Sequence, residues 1–419
     1  MYHCCIHVDD LKVSCVDAGV VDAVISELQQ HFTKITVKRG KHLQHLGMDL
    51  DFSHQGKVIV SMEAMVKEIV KEMYSEETAV HARVAATPAA CHLFKVDPLG
   101  SKLQKEKKEK FHSMVAKLLY LSKHGRPDIL TAVSFLTTRV LHPDEDDWKK
   151  LERVISYLSG TTSLTLTLEA EDLREVHGYV DASHALHPDA KSHTGLVVTL
   201  GRGAVLSKSS KQKLVAKSST VAELVGLSDA VDYVLWIRLF LKEQGFDVKP
   251  AVLHQDNMST IFLVEKGKSV NQRTRHIDIR YFSVHDSIEK KEIQVVYTKT
   301  GEMIADFFTK PLQGKLFMEM RSKILNPCND MTTKEFQSGS LKLRVEDIET
   351  APMKIGKKND RVEHRSYRWS VGKKPMGPST GTDSEEHSAR KSGGKVIGRK
   401  KVGNQEEFGE TLSQGCVEQ

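Results

Sequence analysis

His177-Gly178-Tyr179-Val180-Asp181-Ala182-Ser183 reads as a strand ending in one carboxylate, and the chain is organised around it. Three more acids follow in promising surroundings. Glu223 sits in Ser218-Ser219-Thr220-Val221-Ala222-Glu223-Leu224, at a helix start. Asp256 ends Ala251-Val252-Leu253-His254-Gln255-Asp256-Asn257, and Asp306 sits in Ile304-Ala305-Asp306-Phe307-Phe308-Thr309-Lys310-Pro311. Only a fold can bring four such distant residues together. Their joint use would be to hold two divalent ions, Mg²⁺ or Mn²⁺, for in-line attack on a phosphodiester. Each acid also has a purely structural use. Asp181 suits a strand end, and Asp256 with Asn257 suits a helix N-cap. Thr220-Val221-Ala222-Glu223 fits a capping box, and Asp306 suits a helix dipole. Taken together, in order and at strand ends and helix starts, the four favour the metal site.

The surroundings of that stretch suggest a mixed α/β domain. Val176–Asp181 is one strand. Thr194–Leu200 and Ala204–Ser207 are two more, joined by the hairpin signal Gly201-Arg202-Gly203. A long helix over 219–243, a strand over 251–256 and a short helix over 258–266 come next. A basic loop and helix over 267–290, a strand over 292–298 and a final helix from about 303 close the set.

This constellation resembles the RNase H domain of copia-type LTR retrotransposons, over roughly residues 1 to 325. Its most specific blocks are Arg275-His276-Ile277-Asp278-Ile279-Arg280-Tyr281 and Ala305-Asp306-Phe307-Phe308-Thr309-Lys310-Pro311-Leu312. Three strands followed by helix, strand, helix, strand, helix is the order expected of an RNase H-like mixed sheet. The resemblance implies a metal-dependent ribonuclease that cuts RNA in RNA–DNA hybrids. Asp181, Glu223, Asp256 and Asp306 would be its catalytic metal ligands. Arg273, Arg275, His276 and Arg280 would contact nucleic acid, and a groove would sense 2′-hydroxyls. Lys266 and Lys268 add to the basic stretch.

Several positions depart from the family pattern. Val221 stands where Glu is common, and Leu224 replaces an aromatic. Ser183-His184 follows the first Asp where Trp is frequent, and Phe282 replaces a His. Lys299-Thr300-Gly301-Glu302 has no histidine before the last acid, where many RNase H enzymes carry one and copia-type domains tend to lack it. Such changes fit an element in decay whose core carboxylates persist. They keep a second reading in view: a relic or co-opted nucleic-acid-binding protein without catalysis. That reading predicts carboxylates more than about 8 Å from any common centre, because a Mg²⁺ ligand must reach about 2 Å.

Upstream, Tyr2–Cys15 reads as strand, tight turn, strand, with Asp9 and Asp10 at the turn. An Asx-type turn explains the pair locally. The resemblance instead makes Val8-Asp9-Asp10-Leu11 the end of a reverse-transcriptase palm, with His7 where Tyr is usual. That enzyme's remaining palm carboxylate and fingers lie upstream in the family. The polymerase portion is therefore expected to be incomplete and inactive, with the missing upstream part a conceivable partner. Residues 20–32 carry Val20, Val21, Val24, Ile25, Leu28 and Phe32 at helical spacing. Leu43–Phe52 and Lys57–Ser61 suggest a hairpin around Gln55-Gly56, and 62–74 is helical. Residues 75–110 are polar and broken.

Residues 111–141 are strongly helical, interrupted by Gly125-Arg126-Pro127-Asp128, with Pro127 in the first turn of the second helix. A third helix over 145–158 places Trp148, Leu151, Val154, Ile155 and Leu158 on one face. From about 327 large apolar residues become scarce. The tail cannot bury enough surface to offset its ordering entropy, so disorder is expected, with short helices near 341–349.

Composition sets the outer bounds. The chain has 419 residues, 39% hydrophobic and 28% charged, so roughly two to four domains with ample core are expected. A net charge of +6 is compatible with nucleic acid and not diagnostic of it. Six cysteines without CxxC spacing suggest neither zinc nor disulfides, hence a reducing compartment. No apolar run approaches about 18 residues and no signal peptide is evident, which points to an intracellular protein without a membrane span. The expected class is α/β: a polymerase palm/thumb remnant over 1–90, a helical connection over 91–170, an RNase H-like domain over 171–325 and a basic tail over 326–419.

Overall fold

The computed structural model describes residues 2–8, 10–74, 84–266, 275–327 and 365–372. The first block is α+β. Strands β1 (Tyr2–His7) and β2 (Asp10–Cys15) pair antiparallel, with His7 opposite Asp10. All six β1 residues are exposed, whereas β2 alternates, burying Leu11, Val13 and Cys15. Helix α1 (Ala18–His31) is capped by Asp17, whose side chain accepts from the Gly19 amide. It packs Val21 and Ile25 on that buried face of β2. Strand β3 (Lys34–Gly40) follows.

Strands β4 (His42–His45), β5 (Met48–Asp51) and β6 (Lys57–Ser61) form an antiparallel meander. The run Leu43–Phe52, expected to be one arm of a hairpin, is therefore itself folded in two. Leu46 and Gly47 take positive φ at the reversal, +52° and +70°. The Gln55-Gly56 turn then joins β5 to β6, as expected.

Helix α2 (Glu63–Met73) leads to the central helices α3 (Lys105–His124), α4 (Leu130–Thr137) and α5 (Glu145–Ser159). A short 3-10 turn over Pro127–Ile129 starts α4. Asp144 and Asp147 form a reciprocal capping box at the start of α5. The expected face of α5 is its core face: Leu151, Val154, Ile155 and Leu158 have no measurable exposure. Each such side chain contributes about 1.5–3 kcal/mol by burial.

Strand β7 (Leu166–Ala170) closes the segment read as helical connection, and it pairs with β6, Val60 opposite Leu166. It was not anticipated, because Leu166-Thr167-Leu168 is too short to show a period.

The second half is built on a five-stranded sheet. Its strands are β8 (His177–Ser183), β9 (His193–Thr199), β11 (Leu206–Lys211), β12 (Ala251–Gln255) and β13 (Ile293–Tyr297), in the order β11-β9-β8-β12-β13. The pairs β11–β9 and β9–β8 are antiparallel, and β8–β12 and β12–β13 are parallel. Between β9 and β11 the chain detours. β10 (Gly201–Arg202) pairs with β7 rather than forming the tight turn expected at Gly201-Arg202-Gly203. Gly203 has φ +78°, and a Cβ there would collide with the Thr167 carbonyl.

Helices α6 (Ser219–Glu243), α7 (Met258–Lys266) and α8 (Arg275–Glu289) complete one side. Two 3-10 turns, Thr300–Glu302 and Ile304–Phe308, precede α9 (Gly314–Leu325), so the helix expected from 303 starts later. Alternate residues of the sheet face two cores. Leu196, Val198, Val180 and Leu253 pack against α6 and its neighbours. Val197 joins Phe307, Phe308 and the central helices.

Strand β14 (Arg365–Gly372) inserts between β2 and β3. These eight residues form a strand within a tail expected to be mostly disordered; the helices expected near 341–349 lie outside the described residues. No helix among the described residues is long and apolar enough to cross a membrane.

Candidate functional site

The parallel pairing of β8 with β12 sets the site. Val252 lies opposite His177, Leu253 opposite Gly178 and His254 opposite Tyr179. Carried two residues further, that register brings Asp256 beside Asp181, where neighbouring side chains lie within a few ångströms. Glu223 arrives from α6. Its N-cap is Ser218, whose hydroxyl accepts from the Val221 amide at 3.3 Å. Glu223 thus falls beyond the capping position the sequence allowed it, and it is 5% exposed. One carboxylate oxygen from each of Asp181, Glu223 and Asp256 lies within 4.8 Å of the others.

Neighbours hold these oxygens in place. Gln255 is wholly buried. Its amide donates to Glu223 Oε2 at 3.2 Å, and its carbonyl oxygen accepts from the backbone amides of Asp256 at 2.8 Å and Asn257 at 2.9 Å. Asn257, not Asp256, caps α7, accepting from the Thr260 amide at 3.1 Å. Asp256 is thereby free of the capping role, and its Oδ2 accepts from the Thr300 hydroxyl at 2.8 Å. Asp181 Oδ2 accepts from the Thr309 hydroxyl.

Asp306 stands on the second 3-10 turn, 7% exposed. It lies beside the three-acid cluster rather than in it. Its Oδ1 accepts from Lys310 Nζ at 2.7 Å, and the same ammonium is 3.9 Å from Asp181 Oδ2. Gly195, opposite Asp181 on β9, allows this turn to lie on the sheet. A Cβ at that position would meet the Ala305 carbonyl oxygen at 2.7 Å and Phe308 Cβ at 2.9 Å.

The acids are in electrostatic tension. Burial, followed by the charges of Asp181 and Asp256, pushes Glu223 up to about 9, against the hydrogen bond from Gln255. Burial and Asp181 push Asp306 up to about 6, although Lys310 opposes them. Burial would lower Lys310, but the Asp181 and Asp306 carboxylates outweigh it and raise its pKa. Converging carboxylates with few cations among them fit a hard divalent ion, which prefers oxygen ligands.

The other expected site residues are placed less favourably. Arg280 pairs with Asp229 on α6, so its charge is engaged within the protein. Lys266 lies over the Phe262 ring at 3.9 Å. Arg273, Lys268 and Asp9 lie outside the described residues, as do the side chains of Arg275 and His276. Asp10 opens β2, in a different sheet from Asp181. Sequence reading passed over Gln255, Thr300, Thr309 and Lys310 as site residues. Adjacency to an acid was the one signal available for Gln255, and the Thr309-Lys310 pair was visible only as part of a family block.

No family model matches the chain. In sequence the chain is similar to the retrovirus-related Pol polyprotein from transposon TNT 1-94 of Nicotiana tabacum, 29% identical over 318 residues, 74% of this chain and 23% of that protein. It is similar also to the one from transposon RE2 of Arabidopsis thaliana, 28% identical over 322 residues, 76% of this chain and 21% of that protein. The chain thus spans about a fifth of the length of these curated relatives. Among solved structures, the N-terminal RNase H domain of rv2228c from Mycobacterium tuberculosis, a maltose-binding-protein fusion, matches with 15% identity and TM-score 0.24. That match covers 32% of this chain and 90% of the other, and a score so low adds no weight. The mixed sheet and its three flanking helices are RNase H-like in their own order and pairing.

Proposed function

We propose that residues 171–325 form a metal-dependent ribonuclease H that hydrolyses the RNA strand of RNA–DNA hybrids. The observation that carries this reading is the meeting of Asp181, Glu223 and Asp256 within 4.8 Å, from two strand ends and a helix. The separation of more than about 8 Å that would favour a relic without catalysis is not what these three acids show, and like charges buried together repel unless a cation offsets them. A bound divalent ion, Mg²⁺ or Mn²⁺, would activate water and offset charge developing on the phosphodiester.

The chain's own residues supply the rest. Asp181, Glu223 and Asp256 would ligate the ion. Gln255 fixes Glu223 relative to the backbone of Asp256, and the Thr300 and Thr309 hydroxyls each engage one carboxylate oxygen, leaving the others to face a cation. Such supporting hydrogen bonds set ligand orientation. The second ion expected from the sequence would belong between Asp181 and Asp306, where the Lys310 ammonium stands. Arg273, Arg275, His276 and Arg280 remain proposed backbone contacts for the hybrid.

The test is cleavage of a labelled RNA–DNA hybrid by the whole chain with Mg²⁺ or Mn²⁺, beside Asp256→Asn. Metal-dependent cleavage by the parent and a loss of at least about 100-fold in the variant are expected. Cleavage that persists undiminished in the variant would sink this site.

A further inference from the structure

Lys310 is the one cation that reaches the acids through described side-chain contacts, and its position is determined on several sides. Its backbone amide donates to the Asp306 carbonyl at 2.9 Å, closing the turn that carries both residues. Its ammonium then folds back to Asp306 Oδ1 at 2.7 Å and lies 3.9 Å from Asp181 Oδ2. The Asp306 and Asp181 side chains are only 10% and 6% exposed, whereas the Lys310 side chain is 40% exposed, so the ammonium covers two buried carboxylates from the solvent side.

A divalent ion bridging Asp181 and Asp306 would sit about 2.0–2.6 Å from an oxygen of each. The ammonium already occupies the approach to both carboxylates, and a second cation there would be repelled by it. Asp181 Oδ2 is further engaged by the Thr309 hydroxyl, from the residue next to Lys310. Glu223 and Asp256 converge on Asp181, and among the described residues neither accepts a hydrogen bond from a lysine or arginine.

We propose that Lys310 supplies the second positive charge of this site, so that the protein takes one divalent ion, at Asp181, Glu223 and Asp256, and keeps its own ammonium between Asp181 and Asp306. The inference rests on the metal-site reading above. It turns the expected pair of ions into one ion and one lysine, and makes Lys310 a residue that sets the metal stoichiometry.

The test is calorimetric titration of Mn²⁺ into the whole chain, with electron paramagnetic resonance of the loaded protein. The parent, Lys310→Arg, Lys310→Met, Lys310→Gln and Asp256→Asn are compared, with circular dichroism to verify folding. The parent and Lys310→Arg should bind one ion per chain and show isolated Mn²⁺ spectra. Lys310→Met and Lys310→Gln should bind two and show the spectrum of a coupled pair. Two ions in the parent, or one ion in both uncharged variants, would overturn the role given to Lys310 while leaving the metal site intact. No ion in the parent, or equal binding in Asp256→Asn, would instead overturn the metal-site reading and the role of Lys310 with it.

Discussion

The side-chain nitrogen of Gln255 donates to Glu223 Oε2 across 3.2 Å, linking the end of a strand to a helix that begins four residues before the glutamate. The same side chain receives the Asp256 and Asn257 amides, so one residue holds two proposed ligands in a common frame. Gln255→Leu removes all three bonds with little change in volume. Mn²⁺ affinity should fall by about 10–100-fold, the usual effect of losing a partner behind a metal ligand. Stability should fall by about 1–3 kcal/mol for the stranded groups. Calorimetry and urea unfolding measure the two effects, and unchanged Mn²⁺ affinity would exclude the framing role.

Gly195 should resist substitution for a reason separate from backbone freedom. A methyl group there meets the Ala305 carbonyl oxygen, Phe308 and Thr309, so the turn bearing Asp306 must lift from the sheet. Gly195→Ala is expected to destabilise the chain by about 1–3 kcal/mol through overpacking. The amides of residues 304–310 should exchange faster with deuterium, while those of α6 change little. A variant as stable as the parent, with unchanged exchange, would show that the turn does not depend on this contact.

Two buried histidines predict an acid limit. His187 Nε2 and His193 Nδ1 lie 3.0 Å apart, and His193 Nε2 meets the Ser209 hydroxyl at 2.7 Å. Ser209 donates onward to the Phe308 carbonyl, so His193 carries its proton on Nε2. Burial, with Lys211 nearby, lowers His187 to about 4, and burial beside His187 lowers His193 to about 3. Both lie below the unfolded value of 6.5. The unfolded chain therefore binds more protons in this range. Stability is full above pH 6.5, declines as pH falls below it, and the loss is complete only below the folded values. Each histidine should cost about 2 kcal/mol between neutral pH and pH 5. Urea midpoints for His193→Gln should fall less steeply with pH than those of the parent. Identical slopes would remove His193 from the account.

The buried ion network of the central helices makes a stability prediction. Arg126 forms two hydrogen bonds to Asp128, at 2.9 and 2.8 Å, and two more to Thr161. Tyr157 donates to Asp128 at 2.7 Å and accepts from Arg321 on α9 at 3.0 Å. Burial would raise Asp128, but Arg126 and the hydrogen bonds to it outweigh that and hold it below the usual range. Asp128→Asn leaves two arginines without their counter-charge and should cost about 3–5 kcal/mol. Tyr157→Phe should cost about 1–3 kcal/mol. Denaturant unfolding of both variants provides the comparison, and an equal or smaller cost for Asp128→Asn would refute the charge argument.

What the sequence determined by itself is local and periodic. The strand-like run Val176–Asp181, helical spacing across 219–243 and Pro127 after Gly125-Arg126 depend on neighbours within a turn or a strand. The order of elements in the second half was therefore legible before any contact was known. The four acids were legible as candidates for the same reason: each stands at an element's end. Their grouping was not. Thr220 could have capped a helix with Glu223, but the structure caps it with Ser218 and turns Glu223 toward Gln255. Asp256 could have been a cap, but Asn257 takes that role. Arg280 was legible as a candidate phosphate contact, but its ion pair with Asp229, 51 residues away in sequence, was not. Only the register of β8 with β12, the close approach at Gly195 and the return of β7 to β6 decide such outcomes. These are pairings between distant segments, chosen by packing and charge compensation across the fold, and no window of sequence contains both partners.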